Sequence, residues 1–294
     1  MQTSTLKDFA ENVHSQYGED GIVREVLRRI SCQTSLDQWC VEFGAWDGMY
    51  LSNTYRLIQQ EGYNAVLIEG DPQRHQVLCG NLPQTNVHKI CRFVTFEADS
   101  TLDAILKTTP IPESFDFLSI DIDGCDFYIL ESLRVFKPKV ICIEFNPSIP
   151  NEVDFVQPCD FSIKQGCSPK ALARLAKLKG YTVVAATTCN LILVRADLAA
   201  SVLGNTEPTL DELRNDSDCK VFLFFGFDGT LLSNAQSLKL PWHNVEKPIE
   251  RLQVLPKVLR KYSGDYRSGH RKLFRLWSAF SRLRRNTTKA KKSA

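Results

Sequence analysis

The sequence predicts an α/β fold built on a mostly parallel, seven-stranded sheet that ends in an antiparallel hairpin. Three observations carry this. Between about residues 38 and 198, short runs rich in β-branched and aromatic residues alternate with helical patterns. The runs are almost continuously apolar, as strands covered by helices on both faces must be. The last two runs are only about three residues apart, around Cys189 and Asn190. A parallel crossover needs about a dozen residues or more, so that pair is a hairpin.

The predicted strands are 39–45, 64–70, 91–98, 115–123, 139–146, 181–187 and 191–197. The predicted helices between them are 52–61, 72–81, 100–107, 126–136 and 168–179, with Asp126 expected to cap its helix. Ahead of the sheet, 19–30 has Ile22, Val26, Leu27 and Ile30 on one face, an amphipathic helix. Residues 220–233 read as a hairpin turning at Asp228-Gly229. The resulting division is an N-terminal helical cap (1–37), a core (38–198), a hairpin-containing extension (199–256) and a basic tail (257–294).

Composition excludes several classes. With 43% hydrophobic and 24% charged residues the 294-residue chain is not disordered overall. Its longest apolar run, 221–227, is too short to span a bilayer, and the first twenty residues lack the pattern of a secretory signal. The ten cysteines are scattered, with no CxxC pair, so reduced structural thiols and a cytoplasmic address are expected. The net charge of +2 conceals an asymmetry: from residue 257 onward there are 13 Lys/Arg and one acid, Asp265. An acidic body thus carries a basic tail.

Chemistry concentrates at the strand ends. The first strand runs into Glu42-Phe-Gly44-Ala-Trp-Asp47-Gly48, whose glycines suit a tight turn passing close to a ligand. Trp46 breaks the GxGxxG dinucleotide fingerprint, and Asp47 in the loop suits a cation better than a pyrophosphate. Glu69 ends the second strand, where a carboxylate can accept ribose hydroxyls. Asp99 follows the third, Asp121-Ile-Asp123-Gly124 the fourth and Glu144-Phe-Asn146 the fifth. That many acids around a nucleoside pocket fit a cationic, unphosphorylated cofactor, S-adenosyl-L-methionine.

The blocks VEFGAWDGMYLSNT, VLIEGDP, FLSIDIDGCDFYIL and ICIEFNPSIP resemble those of FkbM-type S-adenosylmethionine-dependent methyltransferases, and SQYGEDGI resembles the segment that precedes their sheet. The resemblance spans about residues 14–198, and 220–243 is similar to an extension of some members. It implies a Rossmann-like class I methyltransferase fold. It also implies cofactor contacts at Gln16, Glu42, Gly44, Asp47, Gly48, Asn53, Glu69, Asp99 and Asp121. Gly44 and its neighbours would hold the methionine part, Glu69 the ribose and Asp99 the adenine side, with Asp121 at the methyl-transfer end. Where the family block reads D-x-E-G, this chain has Asp123 for the glutamate.

Methyl transfer to a hydroxyl needs a base or a metal. The catalytic candidates are Asp121, Asp123 and Glu144. Asp121, Glu144 and Asn146 are candidate Mg²⁺ ligands, all offering oxygen. His14 and His243 are weaker candidates for a base. The resemblance implies an oxygen acceptor: a hydroxyl of a sugar, glycan, lipid-linked or natural-product compound. The other reading is a non-catalytic Rossmann-fold scaffold that docks through its tail. In 270–285, Leu273, Leu276, Trp277 and Phe280 share one helical face and Arg271, Arg275 and Arg282 the other. Such a helix fits an anionic membrane surface, making the protein peripheral, or docks its apolar stripe on the protein's own body. Nucleic acid is disfavoured, because no recognisable binding module accompanies the charge. Residues 286–294 are expected to be disordered.

Overall fold

The computed structural model describes residues 5–204 and 206–290. The chain forms two compact units, Met1–Cys219 and Lys220–Ala294.

In the first unit, α1 (Glu19–Ser31) leads into β1 (Trp39–Phe43), α2 (Tyr55–Glu61), β2 (Asn64–Glu69), α3 (Pro72–Asn81) and β3 (Val87–Cys91). Then come α4 (Leu102–Leu106), β4 (Phe117–Ile120), α5 (Asp126–Ser132), β5 (Val140–Glu144), α6 (Pro169–Leu178), β6 (Tyr181–Ala186) and β7 (Asn190–Arg195). Two short helices, α7 (Ala199–Leu203) and α8 (Leu210–Leu213), complete it. The strand order is β3-β2-β1-β4-β5-β7-β6, and only β7 runs against its neighbours. Alternate residues feed two cores: Val41, Phe43, Val66 and Ile68 face α4, α5 and α6, while Cys40, Ala65 and Leu67 join the core built on α1, α2 and α3. All ten cysteines are free, five of them buried.

Three local expectations are corrected. The third strand is β3 at 87–91, not 91–98. It pairs with β2 from Ala65↔Val87 to Glu69↔Cys91, and β2 ends there, so the run beyond has no partner. The helix predicted over 126–136 stops at Ser132 because the Asp103 carboxylate accepts the amides of Arg134, Val135 and Phe136 at 2.7–3.2 Å. The helix predicted from residue 52 starts at Tyr55, because residues 52–54 are bound to Glu42.

The second unit holds two antiparallel ribbons, β8 (Leu223–Phe225) with β9 (Leu231–Ser233) and β10 (Ser237–Leu240) with β11 (Val245–Pro248), and the helix α9 (Ser268–Ala290). Leu231, Ile249 and Leu259 are buried within it. The hairpin predicted at Asp228-Gly229 is the β8–β9 turn, with Gly229 at φ +77. The expected disorder from 286 is overturned as far as Ala290, where the helix continues; 291–294 lie outside the described residues.

Candidate active site

The turn after β1 is tightly built. Gly44 has φ +72, and a Cβ there would lie 2.2 Å from the Asp121 carbonyl oxygen. Gly48, at φ +76, has no room for one beside Leu78 and Leu82. Asp47 accepts the amides of Met49 and Tyr50 and so shapes the turn itself. Glu42 is buried and accepts from Ser52 Oγ (2.5 Å), the Asn53 amide (2.9 Å) and Thr54 Oγ1 (2.7 Å). Burial raises its pKa against the pull of these donors. Asn53 turns inward, its amide donating to Ser119 Oγ at 3.0 Å. Glu42 and Asn53 therefore fasten the loop to the sheet.

Glu69 is buried at the end of β2. Its two oxygens accept the amides of Trp46 and Asp71, each at 2.8 Å. A carboxylate offers about four lone pairs, so each oxygen keeps one for a further donor. Asp99 is placed differently from expectation: because β3 ends at Cys91, it sits exposed in a 3-10 turn, Ala98–Ser100. Phe93 occupies the intervening loop, its ring over Gly70, where a Cβ would lie 2.3 Å from it.

The ends of β4 and β5 bring acids together. One carboxylate oxygen each from Asp121, Asp123 and Glu144 lie within 4.8 Å of one another. Asp121 reaches solvent, but protein surrounds its carboxyl. This desolvation, with Asp126, Asp123 and Glu42 nearby, pushes its pKa up to about 7, partly offset by a hydrogen bond from Glu144. Glu144 is raised further, first by burial and then by Asp121. Burial and repulsion from neighbouring acids thus hold both carboxyls above the usual carboxylate range. Among the described residues no Lys or Arg forms an ion pair with them. Lys164 Nζ bonds the Ile122 carbonyl instead.

Two neighbours depart from expectation. Asp126 does not cap its helix; its carboxylate reaches back to the Ile122 and Gly124 amides, both at 2.9 Å, and holds the turn in which Asp123 adopts φ +56. Its pKa is pushed up to about 6 by burial. Asn146 does not join the carboxylates: Oδ1 accepts from Ser148 N and Oγ, and Nδ2 donates to the Gln165 carbonyl. Asp123 completes the oxygen cluster in its place.

Sequence reasoning missed the N-terminal segment's anchors. Glu19, buried, accepts from Thr187 Oγ1 (2.6 Å) and Asn190 Nδ2 (3.1 Å), while Asn190 pairs with Glu144 across β7 and β5. Asp20 Oδ2 accepts three successive amides, of Val13, His14 and Ser15. Tyr17 is exposed, its backbone amide donates to Glu19 at 2.7 Å, and desolvation, Cys189, Glu19 and Glu144 raise the pKa of its phenol. Gln16 is exposed beside it, and His14 packs edge-on to Tyr55 at 4.4 Å. The acids at 19 and 20, opening a helix, were the available signal. His243 lies in the second unit.

The sheet order with its reversed seventh strand, and acids at the carboxyl ends of β1, β2, β4 and β5, define a Rossmann-like methyltransferase fold. Residues 97–165, which contain Asp99, Asp121, Asp123, Glu144 and Asn146, match the model of the methyltransferase FkbM domain. This match covers 69 of the 294 residues and, with the fold, likens the chain to S-adenosylmethionine-dependent methyltransferases of FkbM type. No curated protein sequence matches it. Solved structures similar to it include a SAM-dependent methyltransferase from Aquifex aeolicus, with 13% identity and a TM-score of 0.36 over 64% of this chain and 94% of that one. Others are the METTL16 methyltransferase domain, at 15% and 0.38 over 60% and 66%, and the glycopeptide N-methyltransferase MtfA complexed with (S)-adenosyl-L-methionine, at 10% and 0.34 over 58% and 85%.

Proposed function

We propose that this chain is an S-adenosylmethionine-dependent methyltransferase that acts on oxygen, methylating a hydroxyl of a sugar, glycan, lipid-linked or natural-product acceptor. The observation that carries the reading is the Asp121–Glu144–Asp123 cluster at the ends of β4 and β5, a set of close carboxyls with no ion-paired cation among the described residues, in which Asp121 is pushed up to about 7 and Glu144 higher. A hydroxyl must lose its proton as it gains a methyl group, and a base with a pKa near the working pH accepts it best. Such uncompensated acids also fit a sulfonium, which supplies an electrophilic methyl group when bound. Glu69, with a lone pair left on each oxygen, would take the ribose hydroxyls. The bare turn at Gly44 admits the methionine part, and Asp121 Oδ accepts the acceptor's proton while Glu144 fixes its orientation. The test is calorimetry with S-adenosylmethionine: Glu69→Ala should weaken binding at least about tenfold, roughly 1.4 kcal/mol. Equal affinity in both proteins would refute the ribose assignment.

A metal is the second reading of the carboxylate cluster: Asp121, Asp123 and Glu144 offer the all-oxygen set that Mg²⁺ prefers. Turnover that survives a chelator unchanged rules it out. For location, we propose a cytoplasmic protein held peripherally on an anionic membrane by α9. All ten thiols are free, and none of the described helices is long and apolar enough to cross a bilayer. The scaffold reading predicts no methyl transfer to any component of a fractionated extract supplied with labelled cofactor.

A further inference from the structure

The second unit exposes an unusual ribbon. In β8, Leu223, Phe224 and Phe225 are each more than half exposed, although successive residues point to opposite faces. Phe222 before the strand is also more than half exposed, and Phe227, at the turn, is 97% exposed. The turn is firmly made: Gly226 N bonds Thr230 O at 2.9 Å, and the Asp228 carboxylate accepts the Thr230 amide and hydroxyl. At the base, Gln253 clamps Leu231 through both backbone groups, at 2.9 and 2.8 Å. The aromatic rings are therefore carried on an ordered projection.

A ribbon apolar on one face would fit a partner protein, which covers one side and leaves the other to water. Although Leu231 of β9 is buried, β8 exposes apolar side chains on both of its faces, which suits a medium that can reach both sides of the strand. Charge supplies the second argument. Residues 220–294 hold seventeen Lys/Arg and four acids, and no acid lies between Lys220 and Phe227. A cationic unit carrying exposed phenylalanines matches an anionic bilayer surface. The Asp228 carboxylate at the turn, which accepts from Thr230, is a charge that stays among the headgroups.

We propose that the β8–β9 ribbon is a membrane wedge. Phe222, Phe224, Phe225 and Phe227 enter the boundary between headgroups and acyl chains of an anionic bilayer. The proposal extends the surface reading of α9 and stands independently of methyl transfer.

The experiment is co-sedimentation of the full chain with phosphatidylcholine vesicles, with and without phosphatidylserine. Wild type should bind the anionic vesicles, and Phe225→Ser/Phe227→Ser should bind them at least about tenfold more weakly, as expected for losing two buried aromatic rings. Phe227→Trp, at a site exposed enough to tolerate replacement, should keep the affinity and add indole emission that moves to the blue on those vesicles. Unchanged binding by the double serine variant overturns the wedge, and so does an added emission in Phe227→Trp that vesicles leave unshifted. Ribbon-dependent dimerisation without lipid binding overturns it too. Arg271→Gln/Arg275→Gln/Arg282→Gln separates the two readings: undiminished binding there refutes the part given to α9, while loss of binding in the serine variant still supports the wedge.

Discussion

Two acids flank the same four-residue strand and live under opposite rules. Asp116, just before β4, is fully buried and satisfied: Lys139 Nζ donates to it at 2.7 Å, and the amides of Asp37 and Gln38 at 3.1 and 2.7 Å. Lys139 also pairs with Asp37. Asp121, just after β4, has more acids for neighbours and no cation paired with it among the described residues. One end of the sheet spends its charges on holding β1, β4 and β5 together. The other keeps repulsion that a bound cation or a transferred proton would relieve.

That contrast is best broken at the paired end. Asp116→Ala strands Lys139 beside the more exposed Asp37, and stability should fall by about 3–5 kcal/mol in urea unfolding. A loss under about 1 kcal/mol would mean that the two ends do not differ as described.

The next effect is a pH dependence. Asp126 is raised from 3.8 to about 6 on folding, so the folded chain holds its proton more tightly than the unfolded chain does. The stability this contributes is complete below the unfolded value and disappears as pH rises through about 6. Near neutrality the cost is about 3 kcal/mol. Asp126→Asn should flatten stability against pH across that interval; an unchanged slope assigns it elsewhere.

At the unpaired end the signs reverse. Asp121→Asn removes repulsion, so its melting temperature should equal or exceed that of wild type, while methyl transfer falls by about two orders of magnitude. A substitution that unfolds the protein would place Asp121 with Asp116. The smallest effect is proton release. Binding a sulfonium beside the Asp121–Glu144 pair should expel a fraction of a proton, and affinity should climb as pH rises through about 7. Calorimetry in buffers of different ionisation heat measures this, and buffer-independent heats would contradict it.

Much of this was readable from the sequence. The acids at 42, 69, 121 and 144 terminate strands whose apolar runs are unambiguous, so pattern alone brings them to one edge. Asp99 could not be placed this way, because the length of β3 is set by where β2 stops, and the aromatic run at 91–98 looks more strand-like than the true strand. Asn146 was misassigned because its partner, Ser148, competes locally for the amide. The Glu19 contacts to Thr187 and Asn190 join residues 168 and 171 apart in sequence, and no local pattern encodes them.

Those last contacts have a kinetic consequence. Long-range closures of this kind are slow to form, and Glu19 meets its partners only once the β6–β7 hairpin exists. The chain is synthesised from its N-terminus, so the segment bearing Tyr17 and Glu19 must wait for Asn190 to emerge before it can dock. That segment is therefore among the last features of the first unit to dock.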